Sequence, residues 1–215
     1  PLPPPAQVYA ELRGMGVGAV GFLGFLNPDR EFISGLTELV PGVLFNKGLP
    51  GLELPTAKPD AARAARLMVD YMVRRGRRRI GMATFHTEHQ LHQDLLFSVE
   101  SELAARGIGV DRRFWHEITV KGGGPEAVIR WIDAMMASGE RPDGLILSTA
   151  TAAEHLERRF AERGWAPGHE MDFIPVHSGL NAAEIAQRWP VLYINNEGAA
   201  DAAAQMLLDI LDGTL

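Results

Sequence analysis

The sequence predicts an α/β fold, two similar doubly wound parallel-sheet lobes around a ligand cleft, on two observations. Short apolar runs alternate with longer stretches of helical spacing along the whole chain. That alternation is the signature of βαβ units and a parallel sheet. A basic stretch at residues 74–79 then divides the strands into two groups, as a chain crossing between lobes would.

The elements follow in order. Residues 6–14 carry a short helical pattern that stops at Gly14. Residues 17–25 are apolar and glycine-punctuated, as a buried strand is. Asn27 caps a helix with Pro28 in its first turn, and Phe32, Ile33, Leu36 and Leu39 have helical spacing. Val43, Leu44 and Phe45 form a second buried strand, and the proline- and glycine-rich residues 46–58 read as a loop. Asp60 opens a long helix through Ala61, Ala65, Met68 and Met72. Arg74 and Arg75 suit its carboxyl end, and Gly76 stops it. Strands are then expected at 80–84, 115–120, 145–147, 172–176 and 191–194, and helices at 94–106, 125–137, 152–163 and 198–211. The expected organisation is a first lobe at 1–76, a second at 77–190, and a return to the first at 191–215.

Bulk properties narrow the function. The net charge of −6 argues against direct nucleic-acid binding by these residues, because such surfaces are basic. The absence of cysteine excludes disulfides, thiolate metal sites and a cysteine nucleophile, and fits a cytoplasmic location. No run approaches the ~20 apolar residues of a membrane span, and no secretory pattern opens the chain. The opening Pro-Leu-Pro-Pro-Pro reads as an extended lead-in, and Pro1 as a cut end.

In doubly wound sheets, ligands lie beyond the carboxyl ends of the strands. The candidates are therefore Phe25, Asn46, Phe85, His86, His89, His92, Thr149, His177, Ser178 and Asn196, with Trp189 close to a crossing strand. His86, His89 and His92 are three of seven histidines, spaced by three. Such spacing puts them on one helical face, where with Glu88 they offer metal-ligand groups; exposed polar residues in a loop and first helical turn are the favoured reading, and no metal site is expected. No cofactor and no catalytic centre is expected: no Gly-x-Ser-x-Gly elbow is present, and His177 and Ser178 are adjacent and point apart on an extended segment. Gly122 to Pro125 lacks the Lys-Ser/Thr of a phosphate loop, and the glycines at 14, 16 and 18 precede a strand where a dinucleotide fingerprint follows one. The five arginines at 74–79 read as helix-end and strand-entry residues.

The order of motifs resembles the effector-binding core of lac/gal-type (LacI/GalR) transcriptional regulators, with its periplasmic-binding-protein-like fold. Residues 61–83 are similar to that family's helix–Gly-basic–strand crossing. Ser101 to Ile108, Arg141 to Leu147, Glu162 to Gly164, Asp172 to Val176, Trp189-Pro190 and the final Ala/Leu helix follow in the family's order. The resemblance implies an α/β core lacking the family's first strand–helix unit. It also implies a small-molecule effector in the cleft, a homodimer, and operator DNA contacted through a helix-turn-helix outside this sequence. Three polar positions of the family depart here: its Arg falls on Leu95, its Asn-Asp on Thr149-Ala150, and its Gly-Phe-Asp on Val176-His177-Ser178. A transport-type periplasmic solute-binding protein and a His-rich metal-dependent enzyme are the alternative readings.

Overall fold

The computed structural model contains two parallel sheets, one of three strands and one of five. It describes all residues except 1, 24–28, 46, 47, 50, 86–89, 119–123 and 180, and only the backbone of 85, 90, 118, 124 and 125. By packing, the chain divides into two units, the first built from both ends of the chain and the second from its middle.

The first unit contains helix α1 (Pro5–Gly14), strand β1 (Val20–Leu23), helix α2 (Arg30–Thr37), strands β2 (Gly42–Phe45) and β3 (Thr56–Ala57), and the last helix of the chain. The strands lie in the order β1-β2-β3, with Val20 opposite Gly42 and Leu44 opposite Thr56. Period-2 alternation along β2 sends neighbouring residues to opposite faces. Leu44 joins Phe22, Ile33, Leu36 and Val40 under α1 and α2, whereas Val43 joins Ala57 and Ala203 under the last helix. β3 lies inside the stretch expected to be loop; its two residues are too short a run to show a period.

The second unit runs from helix α3 (Ala61–Arg74) through strand β4 (Ile80–Phe85), helix α4 (Gln90–Ala105), strand β5 (Trp115–Ile118), helix α5 (Gly124–Ala137), strand β6 (Gly144–Leu147), helix α6 (Ala150–Glu162), strand β7 (Asp172–His177), helix α7 (Ala182–Ala186) and strand β8 (Leu192–Tyr193). Helix α8 (Asn196–Leu211) then completes the first unit. Asp60 caps α3 as expected, its side chain accepting from the Arg63 backbone N–H at 2.9 Å. The buried stripe of α3, Ala65, Met68, Val69 and Met72, shares one core with Ile80, Met82 and Leu145. By packing, α3 therefore goes with the second unit, ahead of the 76/77 boundary read from the sequence.

The five strands are all parallel, in the order β5-β4-β6-β7-β8. The chain winds from β4 to one side, then returns to β4 and winds to the other, so the order reverses between β4 and β6. β6 is buried at all four residues, which explains its uninterrupted apolar sequence. α4 begins at Gln90, four residues ahead of the expected start, because Leu91 and Leu95 bury one helical turn apart. The helix α7 was not expected; it is five residues long and buries only Ile185.

The arginine run has a structural role here. Arg75 Nε and Arg77 Nε donate to the two oxygens of buried Asp172 at 2.8 and 2.5 Å. The backbone N–H groups of Arg78 and Arg79 donate to the Asp143 carboxylate at 3.0 and 2.8 Å. The strand entry is thus tied to β7 and to the Pro142-Asp143 turn before β6.

Candidate functional site

The carboxyl ends of β6 and β7 open into a hollow of about 330 Å³, wholly within the second unit. Its polar lining is Ser148, Thr149, Thr151, Glu154, His177, Ser178 and Asn181. Each side chain is placed by the end of a regular element. β6 runs out at Leu147, and the Ser148 N–H continues the ladder by donating to Ala83 O at 2.9 Å. Thr149 turns the chain into α6: its backbone is extended, and Oγ1 accepts from the Ala152 N–H at 3.2 Å. This N-cap satisfies one of the orphan donors of the helix and leaves the positive end of the helix dipole at the hollow.

β7 ends at His177, half-buried, whose Nε2 lies 2.9 Å from Asn181 Oδ1. Ser178 follows and is exposed. On the far rim, Glu154 is 3.4 Å from Arg188 Nη1 and largely solvated. Arg188 ion-pairs more closely with Glu157, at 2.5 Å. The lining is therefore a set of hydroxyls, one imidazole, one amide and one carboxylate, suited to hydrogen-bonding a small polar molecule.

The sequence candidates distribute as follows. Thr149, His177 and Ser178 meet in the hollow. His92 is half-buried on α4. Asn196 opens α8 in the first unit, and its Oδ1 is buried with no hydrogen-bond partner among the described residues. Phe25, Asn46, His86 and His89 lie outside the described residues, and Phe85 is described only as the last backbone position of β4. Among the described residues no three histidine or carboxylate groups converge as metal ligands. Trp189 stands apart from the hollow: its ring packs on Phe173 near the amino end of β7, and its Nε1 donates to Glu157 at 2.9 Å. A buried indole is placed by such packing and by a partner for its N–H, and both are satisfied at the opposite end of the strand. Leu95, where the resemblance puts a family Arg, is buried in the core.

In the polar lining, Glu154 and Asn181 lie outside the segments that directly follow strands and were not foreseen. Glu154 sits one helical turn beyond Ala150, so its place follows from the start of α6. Asn181 carried no signal, because the turn that brings it back to His177 is not a repeating element.

A parallel sheet whose strand order reverses beside a polar hollow is the architecture of α/β proteins that hold small molecules at their strand ends. The chain belongs to the periplasmic binding protein-like domain family, whose model matches residues 69–214. No curated protein sequence matches it. In fold it is similar to a regulatory protein of the LacI family from Chloroflexus aggregans, with a TM-score of 0.80, 18% identity, and coverage of 97% of this chain and 74% of that one. A LacI-family sugar-binding transcriptional regulator from Escherichia coli, complexed with phosphate, gives 0.78, 16%, 97% and 74%. The transcriptional regulator CelR in complex with cellobiose gives 0.77, 15%, 98% and 64%. The chain thus has the periplasmic-binding-protein-like fold found in LacI-family regulators. Among the described residues no helix is long and apolar enough to cross a membrane.

Proposed function

We propose that the chain is the effector-sensing and dimerisation core of a bacterial transcriptional regulator of the LacI type, acting in the cytoplasm. A small molecule binds between the two lobes, with the hollow at the ends of β6 and β7 as the second lobe's share of the site. Binding favours one arrangement of the lobes, and in a homodimer that shift changes the spacing of DNA-binding heads carried outside these residues. The proposal assigns the chain no catalytic step. The observation that carries the reading is the convergence of Thr149, His177, Ser178 and Asn181 on one hollow beside the reversal of strand order. The family match and the regulators among the fold neighbours support it.

The test is thermal melting of the purified chain against mono- and disaccharides including cellobiose, nucleobases and inorganic phosphate. A true effector at a hundredfold excess over its Kd should raise Tm by about 5 to 10 °C. His177→Ala and Thr149→Ala should each remove most of that shift. A ligand that stabilises both variants as well as the parent binds elsewhere and refutes this site.

A further inference from the structure

We propose that Asn181 is a positioning residue that fixes the tautomer of His177, so that the imidazole offers Nδ1 to the hollow as an acceptor for a ligand hydroxyl or N–H group. The inference rests on the reading of the hollow as a ligand site. Asn181 occupies the N-cap position of α7, where an Asn oxygen ordinarily accepts from the first backbone N–H groups of the helix. It makes no such bond here. Its Oδ1 instead meets His177 Nε2 at 2.9 Å.

An amide oxygen has no proton to give, so in the neutral pair it is Nε2 that carries hydrogen and donates. Neutral imidazole holds one N–H, and Nδ1 is left with its lone pair. Among the described residues nothing else engages the ring. The hydroxyl of Thr149 is biased in the complementary sense. Its oxygen already accepts from the Ala152 N–H, which leaves the hydroxyl proton to be donated. The two residues are therefore complementary in kind, an acceptor nitrogen on His177 and a donor hydroxyl on Thr149.

Gly179 is what permits this arrangement. A Cβ there would stand 2.8 Å from His177 Nε2, 2.9 Å from its Cε1 and 3.2 Å from Asn181 Oδ1. Any side chain at 179 would push the ring off its partner. The departure from the LacI-type pattern at residues 176–178 thus comes with its own second residue, Asn181, and its own glycine.

The tautomer is read directly from the imidazole nitrogens by NMR of the full 215-residue chain labelled with 15N-histidine, at a pH where His177 is neutral. His177→Gln identifies the signal by its loss. The expected spectrum has His177 predominantly protonated on Nε2, with an unprotonated Nδ1. Asn181→Ala and Gly179→Ala should each convert it to a mixture of tautomers, and Asn181→Asp, which keeps an oxygen acceptor, should restore the Nε2–H form. A parent chain protonated on Nδ1, or a spectrum unchanged by Asn181→Ala, overturns the proposal. The other histidine signals report whether each variant is folded. No ligand enters the measurement, so this failure is separate from a failure of the proposed effector site, which the melting series reads.

Discussion

Asp133 on α5 and Arg159 on α6 meet through two parallel hydrogen bonds, Nε to Oδ1 at 2.6 Å and Nη2 to Oδ2 at 2.7 Å. This planar fork matches guanidinium to carboxylate and joins two neighbouring helices on one side of the second sheet. His155 Nε2 approaches the same Oδ1 at 2.9 Å.

The Arg159 guanidinium, with His155 beside it, holds the Asp133 carboxyl down to about 2. A carboxyl depressed in the folded state adds stability that is present above its unfolded value and lost as pH falls through the folded one. Asp133 is about one-third exposed, so solvent screening leaves a contribution on the order of 1 kcal/mol. Urea melts of the parent chain should weaken between about pH 4 and pH 2, and Asp133→Asn should flatten that part of the profile. An identical acid limb in the variant would show that the pair contributes nothing.

Asp172 has 5% of its side chain exposed and holds Arg77, itself 16% exposed, and Arg75. Arg77 also donates to the Gly168 carbonyl at 2.6 Å. Asp172→Ala would leave Arg77 without its counter-charge, at a cost of about 3 kcal/mol. Replacing Arg75, which is 44% exposed, should cost less than 1 kcal/mol. Denaturant midpoints for the two variants give the comparison, and equal losses would contradict the burial argument.

Gly81 on β4 faces the short turn at Arg112–Phe114. A Cβ at 81 would stand 2.6 Å from the Phe114 carbonyl oxygen and 2.9 Å from Phe114 Cβ. Main chain cannot yield as a side-chain tip does. Gly81→Ala should therefore destabilise the second unit by roughly 1–3 kcal/mol, measured as a lowered urea midpoint. An unchanged midpoint would mean that β4 and the turn can separate freely.

Thr149 has a helix-capping role that does not depend on any ligand. Thr149→Ala should lower stability by about 1 kcal/mol, and Thr149→Ser should recover most of it. If alanine were neutral without ligand, the Oγ1–Ala152 bond would not be holding the start of α6.

Much of the fold was legible because burial was uniform along single elements. β6 shows as an apolar run since every one of its residues is covered, and α3 shows from Asp60 to Gly76 since its cap and its stop are both explicit. What escaped was short or depended on distant chain. β3 has two residues, and α7 buries one side chain, so neither carries a period. Thr149, His177 and Ser178 were legible as residues lining the hollow because position after a strand suffices to put a residue at the strand end. The ring of Trp189 packs on Phe173 instead, and nearness in sequence to β8 says nothing about which end of β7 a side chain will cover. Asn181 is placed by its contact with His177, which only the three-dimensional arrangement reveals.

The first unit is assembled from the two ends of the chain, and this bears on the order of folding during synthesis. Val43 and Ala57 on its sheet are covered by Ala203, with Met206 and Leu207 of α8 packed around them. A ribosome that has made α1 to β3 has made only one of the two layers that flank that sheet. The second unit, continuous apart from a few residues at the start of α4, is complete before α8 has emerged. Domains fold as their chain becomes available, whereas contacts far apart in sequence form late. Until α8 is made, Val43 and Ala57 lack the Ala203 contact that buries them in the finished fold.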